Sequence, residues 1–91
     1  MNEKQKLYRV KRRAIQILRL SGYRVIPLPD DPVFDLEASR ESEIRKLKLL
    51  VRGATSAEVK KVSEVRLPNS CRKEIWTKLP NRQEFDITAI S

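Results

Sequence analysis

The chain has no histidine, one cysteine and two glycines in 91 residues, and each scarcity removes a class of answers. Without histidine there is no Ser-His or Cys-His catalytic pair and no imidazole ligand for zinc. A lone cysteine, Cys71, cannot close an internal disulfide, and its plain reading is a small half-buried residue. Two glycines are too few for a flexible linker or a low-complexity chain. No apolar run approaches the roughly 20 residues of a membrane span, and no secretory h-region is present. The expectation is a soluble, intracellular protein. With so few aromatic residues, Tyr23 and Trp76 are expected in the core, although either could stack on a base.

What the chain has in plenty is charge. Lysine and arginine number 20 against 12 acids, a formal net charge of +8. An excess of this size implies an anionic partner, most often nucleic acid, although a ribosomal or membrane-surface protein is charged in the same way. High charge with little Gly, His, Met and Cys is also the composition of heat-adapted proteins. Ninety-one residues make a single domain, 1–91, whose thin core a second copy would help to stabilise.

Periodicity supplies the elements. From Asn2 to Ser21, the apolar residues Leu7, Val10, Ala14, Ile17 and Leu18 recur at helical spacing and Arg9, Lys11, Arg12, Arg13, Gln16 and Arg19 fill much of the remainder. Ser21-Gly22 stops this helix. Tyr23 to Leu28 and Val33 to Ala38 read as strands, separated by Asp30-Asp31-Pro32 turn chemistry. Ser39 to Ser42 reads as a polar hairpin loop. Glu43 to Arg52 alternates as a third strand: Arg45, Leu47, Leu49 and Val51 on one face, Ile44, Lys46, Lys48, Leu50 and Arg52 on the other. Thr55-Ser56-Ala57-Glu58 is a capping box opening a short helix to Val65. Arg72 to Leu79 and Glu84 to Ile90 form a closing hairpin, with Phe85, Ile87 and Ala89 on one face. The order α-β-β-β-α-β-β predicts an α/β (α+β) domain with a mixed sheet flanked by helices.

That order resembles the restriction-endonuclease-like fold, the PD-(D/E)xK superfamily that includes archaeal Holliday-junction resolvases. Ala14, Leu18 and Gly22-Tyr23-Arg24-Val25 look like the family's first helix running into its first strand. Phe34-Asp35 sits where the family has its Asp, Lys48 to Arg52 where it has Glu-x-Lys, and Lys73 to Trp76 looks like a late strand. The resemblance spans nearly the whole chain. It implies one or two divalent cations, usually magnesium, held between an Asp and a Glu on adjacent strands to polarise a phosphodiester, with the Lys orienting water. It also implies a Glu on the first helix, and often a dimer.

Carried over residue by residue, the match thins. Asp35 is present, as a metal-binding or vestigial position. In the resemblance the Glu aligns with Leu50, the Lys with Arg52 and, by its spacing to Gly22, the helix Glu with Lys11. Leucine binds no metal, arginine is a poor proton acceptor, and lysine repels a cation. The expectation is no cofactor, with Mg2+ retained only if cleavage survives through Asp35 with Glu37 or Glu43. A hairpin centred near Arg40-Glu41 would set Asp35 across from Lys46, so a salt bridge to Lys46 or Lys48 is its plainer role.

The cations define the remaining reading. Lys46, Lys48 and Arg52 share a strand face, Lys11 is expected near it, and Arg12, Arg13, Lys60 and Lys61 could extend it into a phosphate-binding patch. The bland alternative is a set of solvated surface charges. Three functions stay open: a DNA-binding domain that has lost metal-dependent cleavage, an active divergent endonuclease or junction resolvase, and a protein-interaction subunit of a nucleic-acid complex. A homodimer is expected, a membrane partner is not.

Overall fold

The computed structural model describes residues 2–91. Helix α1 (Glu3–Leu20) begins where Asn2 Oδ1 accepts the Gln5 N–H at 2.8 Å. It ends in a Schellman motif: the Gly22 N–H donates to the Arg19 carbonyl and the Tyr23 N–H to the Leu18 carbonyl, each at 3.0 Å. Gly22 has φ 90°, a conformation that costs glycine little.

The chain then forms strands β1 (Arg24–Pro27), β2 (Leu36–Arg40) and β3 (Glu43–Leu50), helix α2 (Ser56–Glu64), and strands β4 (Cys71–Thr77) and β5 (Asp86–Ile90). The strands lie in chain order in one five-stranded sheet, and every neighbouring pair is antiparallel except β3 and β4, which are parallel. A parallel pair needs a crossover, and α2 supplies it. The expected order and mixed sheet are both present.

Two apolar clusters fix the layers. On one face Val10, Ala14 and Leu18 of α1 pack on Leu36, Ala38, Leu47, Leu49 and Trp76, with Tyr23 and Val25 at the margin. On the other, Val62 of α2 packs on Phe34, Leu50 and Ile75. Along β3 the odd residues therefore face α1 and the even residues face α2. Among the described residues no helix is long and apolar enough to cross a membrane.

The structure corrects several expectations. β2 starts at Leu36, not Val33, because Asp31 Oδ1 captures the N–H groups of Val33 and Phe34 at 2.8 and 2.7 Å and bends the chain there. The hairpin is tighter than the expected four-residue loop: Arg40 pairs with Glu43, and Glu41, at φ 56°, turns the corner. A left-handed glutamate costs roughly 1–2 kcal/mol. At the far edge Phe85 packs on Trp76 with ring centroids 5.2 Å apart and planes tilted by 55°, while Ile87 is 49 % exposed.

Candidate nucleic-acid interface

The tight hairpin decides what Asp35 faces. With Leu36 opposite Leu47, Asp35 lies across from Lys48 and Glu37 from Lys46, two residues along β3 from the partners expected from the sequence. Asp35 is tied in from both ends. Its N–H donates to the Leu47 carbonyl at 2.8 Å, and its Oδ2 accepts the Leu49 N–H at 2.7 Å. The same Oδ2 is 3.8 Å from Lys48 Nζ. Both side chains are 29 % exposed, on the α2 face.

Lys48 also lines a hollow of about 120 Å³ with Pro32, Val33, Glu58, Lys61 and Val62. Lys46, next along the strand face, is half-buried opposite Glu37. The Phe34 N–H, with the Val33 N–H and the charge of Lys46, holds the Asp31 carboxyl below its usual range. Lys60 points away to Glu64 at 3.9 Å.

Arg52 lies past the end of β3. Its Nη1 and Nη2 donate to Glu58 Oε1 and Oε2 at 2.7 and 3.0 Å. Glu58 is also the capping-box acid, accepting the Thr55 N–H at 2.9 Å while the Thr55 hydroxyl accepts the Glu58 N–H. The sequence displayed the capping box but not this ion pair, because a separation of six residues across a loop has no periodic signature. The Arg52 guanidinium, then the Thr55 N–H, lowers the Glu58 carboxyl to about 2 from 4.5.

A depressed carboxyl contributes its stability in full above its unfolded value and loses it as pH falls through the folded one. The chain is expected to lose this contribution between pH 4.5 and about 2. Glu58→Gln should flatten that part of the profile, measured as urea midpoints across the acid range. An unaltered profile would show that solvent screens the half-exposed pair fully.

The three carboxylates considered for a metal do not converge. Glu43, an odd residue of β3, is on the α1 face, where it accepts the Tyr23 hydroxyl at 3.1 Å and lies 3.7 Å from Arg40 and 3.6 Å from Arg72. Asp35 and Glu37 share the opposite face, each across from a lysine. Among the described residues no three acidic, cysteine or histidine side chains come together. Magnesium takes oxygen ligands, and an ammonium beside Asp35 is the wrong neighbour for it. The residues present do not fit the carboxylate-bridged metal that the resemblance implies.

The expected basic patch divides between two layers. Lys46, Lys48 and Lys61 stand on the α2 side. Lys11, half-buried, and the exposed Arg12 and Arg13 belong to α1, across the sheet. The sequence did not flag Arg9 and Arg19 as site residues, although both line the same α1 hollow as Arg12 and Arg13. Tyr23 and Trp76 are buried and unavailable to a base.

Element order and strand pairing define a restriction-endonuclease-like fold. A solved structure with this fold is that of Archaeoglobus fulgidus Hjc, a Holliday junction resolvase from an archaeal hyperthermophile. It superposes with a TM-score of 0.73 over 92 % of this chain and 72 % of that one, at 17 % identity. No protein-family model and no curated protein matches the chain. At this identity the likeness is one of fold.

Proposed function

We propose that the chain is a DNA-binding domain on a nuclease-like fold in which phosphate binding has replaced metal-dependent cleavage. One observation carries the reading: the side chain facing Asp35 from the adjacent strand is Lys48, with Nζ 3.8 Å from the carboxylate. Lys48, opposite Asp35, occupies the place from which a second carboxylate would have to share a metal with Asp35, and Leu50, next along that face, is buried under α2. Arg52, which the resemblance puts at the motif lysine, braces α2 through Glu58.

A lysine facing Asp35 puts a fixed cation beside that carboxylate. Lys48, Lys61 and Lys46 present ammonium groups to phosphates, and Asp35 holds Lys48 in place. Such binding is sequence-independent and falls steeply with salt. The fold shared with a resolvase favours DNA as the partner. A second reading, an active divergent endonuclease, draws on Asp35 and Glu37 sharing one strand face and would need Mg2+.

The test is to mix the protein with labelled four-way junction, duplex and single-stranded DNA, with and without magnesium or manganese, over a salt series. Binding without metal-dependent product is expected. Lys48→Ala/Lys61→Ala should flatten the plot of log affinity against log salt by roughly 2, since each phosphate contact contributes about 0.9. Product that vanishes in Asp35→Ala would overturn the proposal in favour of the nuclease. Absence of binding at low salt would leave the interaction subunit.

A further inference from the structure

Helix α1 carries seven of the chain's 20 cations and one acid, Glu3, so this element alone accounts for +6 of the net +8. Among the described residues none of those seven cations joins an ion pair. Seven of the other thirteen do, and Lys73 and Lys78 donate to backbone carbonyls. The cations outside this helix are thus about half paired with acids, while those on it are not paired at all among the described residues.

The fold does not need that charge. The core uses Val10, Ala14 and Leu18, on the inner stripe. Cations in the N-terminal half of a helix oppose its dipole, and like charges three and four apart, as in Arg9 with Arg12 and Arg13, repel. Both effects work against the helix unless an anion compensates.

The outer face has a definite shape. Arg9, Arg12, Arg13 and Arg19 line one hollow, with Gln16 between them. Arg13 Nη1 donates to Gln16 Oε1 at 3.1 Å, and the Arg12 guanidinium lies 5.9 Å from the centre of the exposed Tyr8 ring. Ten residues of helix separate Arg9 from Arg19, a span of roughly 15 Å. A row of this length spans several phosphates of a duplex, which carries one charge per roughly 1.7 Å of its axis.

We infer that the outer face of α1 is a second phosphate-binding surface, for the backbone of duplex nucleic acid, on the far side of the sheet from Asp35 and Lys48. Arginine forks match phosphate oxygens in bidentate fashion. A helix that lies on a membrane needs a free apolar face, and α1 spends its own in the core. A single-strand site needs a run of stacking aromatics, and Tyr8 is the helix's one aromatic residue. The surface stands independently of the site around Lys48.

The experiment uses the full chain and a random-sequence duplex, with binding followed by fluorescence anisotropy from low to moderate salt. Three proteins are compared: wild type, Arg9→Gln/Arg12→Gln/Arg13→Gln/Arg19→Gln, and Lys48→Gln/Lys61→Gln. Glutamine is a good helix former, so the α1 variant should keep the wild-type circular dichroism. If it does not, Arg12→Gln/Arg13→Gln replaces it and should show half the effect. The α1 variant is expected to bind at least tenfold more weakly, with a salt plot flatter by roughly 3 to 4. The Lys48/Lys61 variant should keep that component. Unchanged affinity and slope in a folded α1 variant would overturn the inference. So would binding to phosphatidylserine vesicles that exceeds duplex binding and is lost in the α1 variant. Loss in the α1 variant alone would uphold the inference and sink the Lys48 site.

Discussion

Glu74→Leu is expected to cost about 3–5 kcal/mol of unfolding free energy, against roughly 5–14 kcal/mol in total for a domain of 91 residues. Glu74 is 4 % exposed on the α1 face of β4. Its Oε1 is 2.6 Å from Arg45 Nη2, and it accepts Arg45 Nε–H at 2.9 Å and Trp76 Nε1–H at 3.0 Å. The Arg45 guanidinium also lies between aromatic rings, 5.2 Å from the centre of Tyr23 and 5.4 Å from that of Trp76. Burial disfavours the Arg45 charge, but the hydrogen bonds and charge of Glu74 outweigh it and hold the guanidinium above its usual value. Removing Glu74 strands that cation in the core and leaves the indole N–H without an acceptor. Arg45→Met/Glu74→Leu should recover most of the loss, because a buried pair replaced by apolar residues of similar size is often neutral. Urea midpoints of the three proteins measure both effects. A single-variant cost below 1 kcal/mol would show that water reaches Arg45.

Lys48→Glu is expected to create a divalent-cation site that the wild type lacks. The new carboxylate would stand across from Asp35, whose N–H donates to the Leu47 carbonyl and whose Oδ2 accepts the Leu49 N–H. Without metal, the like charges should lower stability by up to about 1 kcal/mol. Manganese at ten times its dissociation constant returns about 1.4 kcal/mol by mass action. The variant's Tm should therefore rise with manganese by several degrees while the wild-type Tm stays put. A wild-type Tm that rises equally would place a metal between Asp35 and Glu37 already, and would favour the nuclease reading. Under the proposed function, DNA affinity should fall in the same variant, since a cation there has become an anion.

Much of the architecture was legible because it is written in local rules. Asn2, Gly22 and the Thr55–Glu58 box mark helix ends through hydrogen bonds made within a few residues. The two faces of β3 follow from alternation alone, and the element order that they build is the order observed. What was not legible depended on residues distant in sequence. The turn at Glu41 is shorter than its polar composition implied, and this moved the partner of Asp35 from Lys46 to Lys48. Arg45 stood out as a charge on a core stripe, but nothing near it in sequence named Glu74, which arrives through the parallel pairing of β3 and β4. The candidate patch was read as a single surface because sequence gives the phase of each element but not which side of the sheet it covers.

A lysine triplet becomes a glutamate triplet by changing its first base, so the chain stands a single point mutation from two carboxylates facing each other across β2 and β3. The backbone need not move for that change. Leu50 is different: no leucine triplet reaches lysine in one step, and the site lies under α2 in packed core. A lineage carrying this sequence can reach a facing acid pair in one step while a lysine at position 50 takes at least two, so the two positions are separable along its mutational paths.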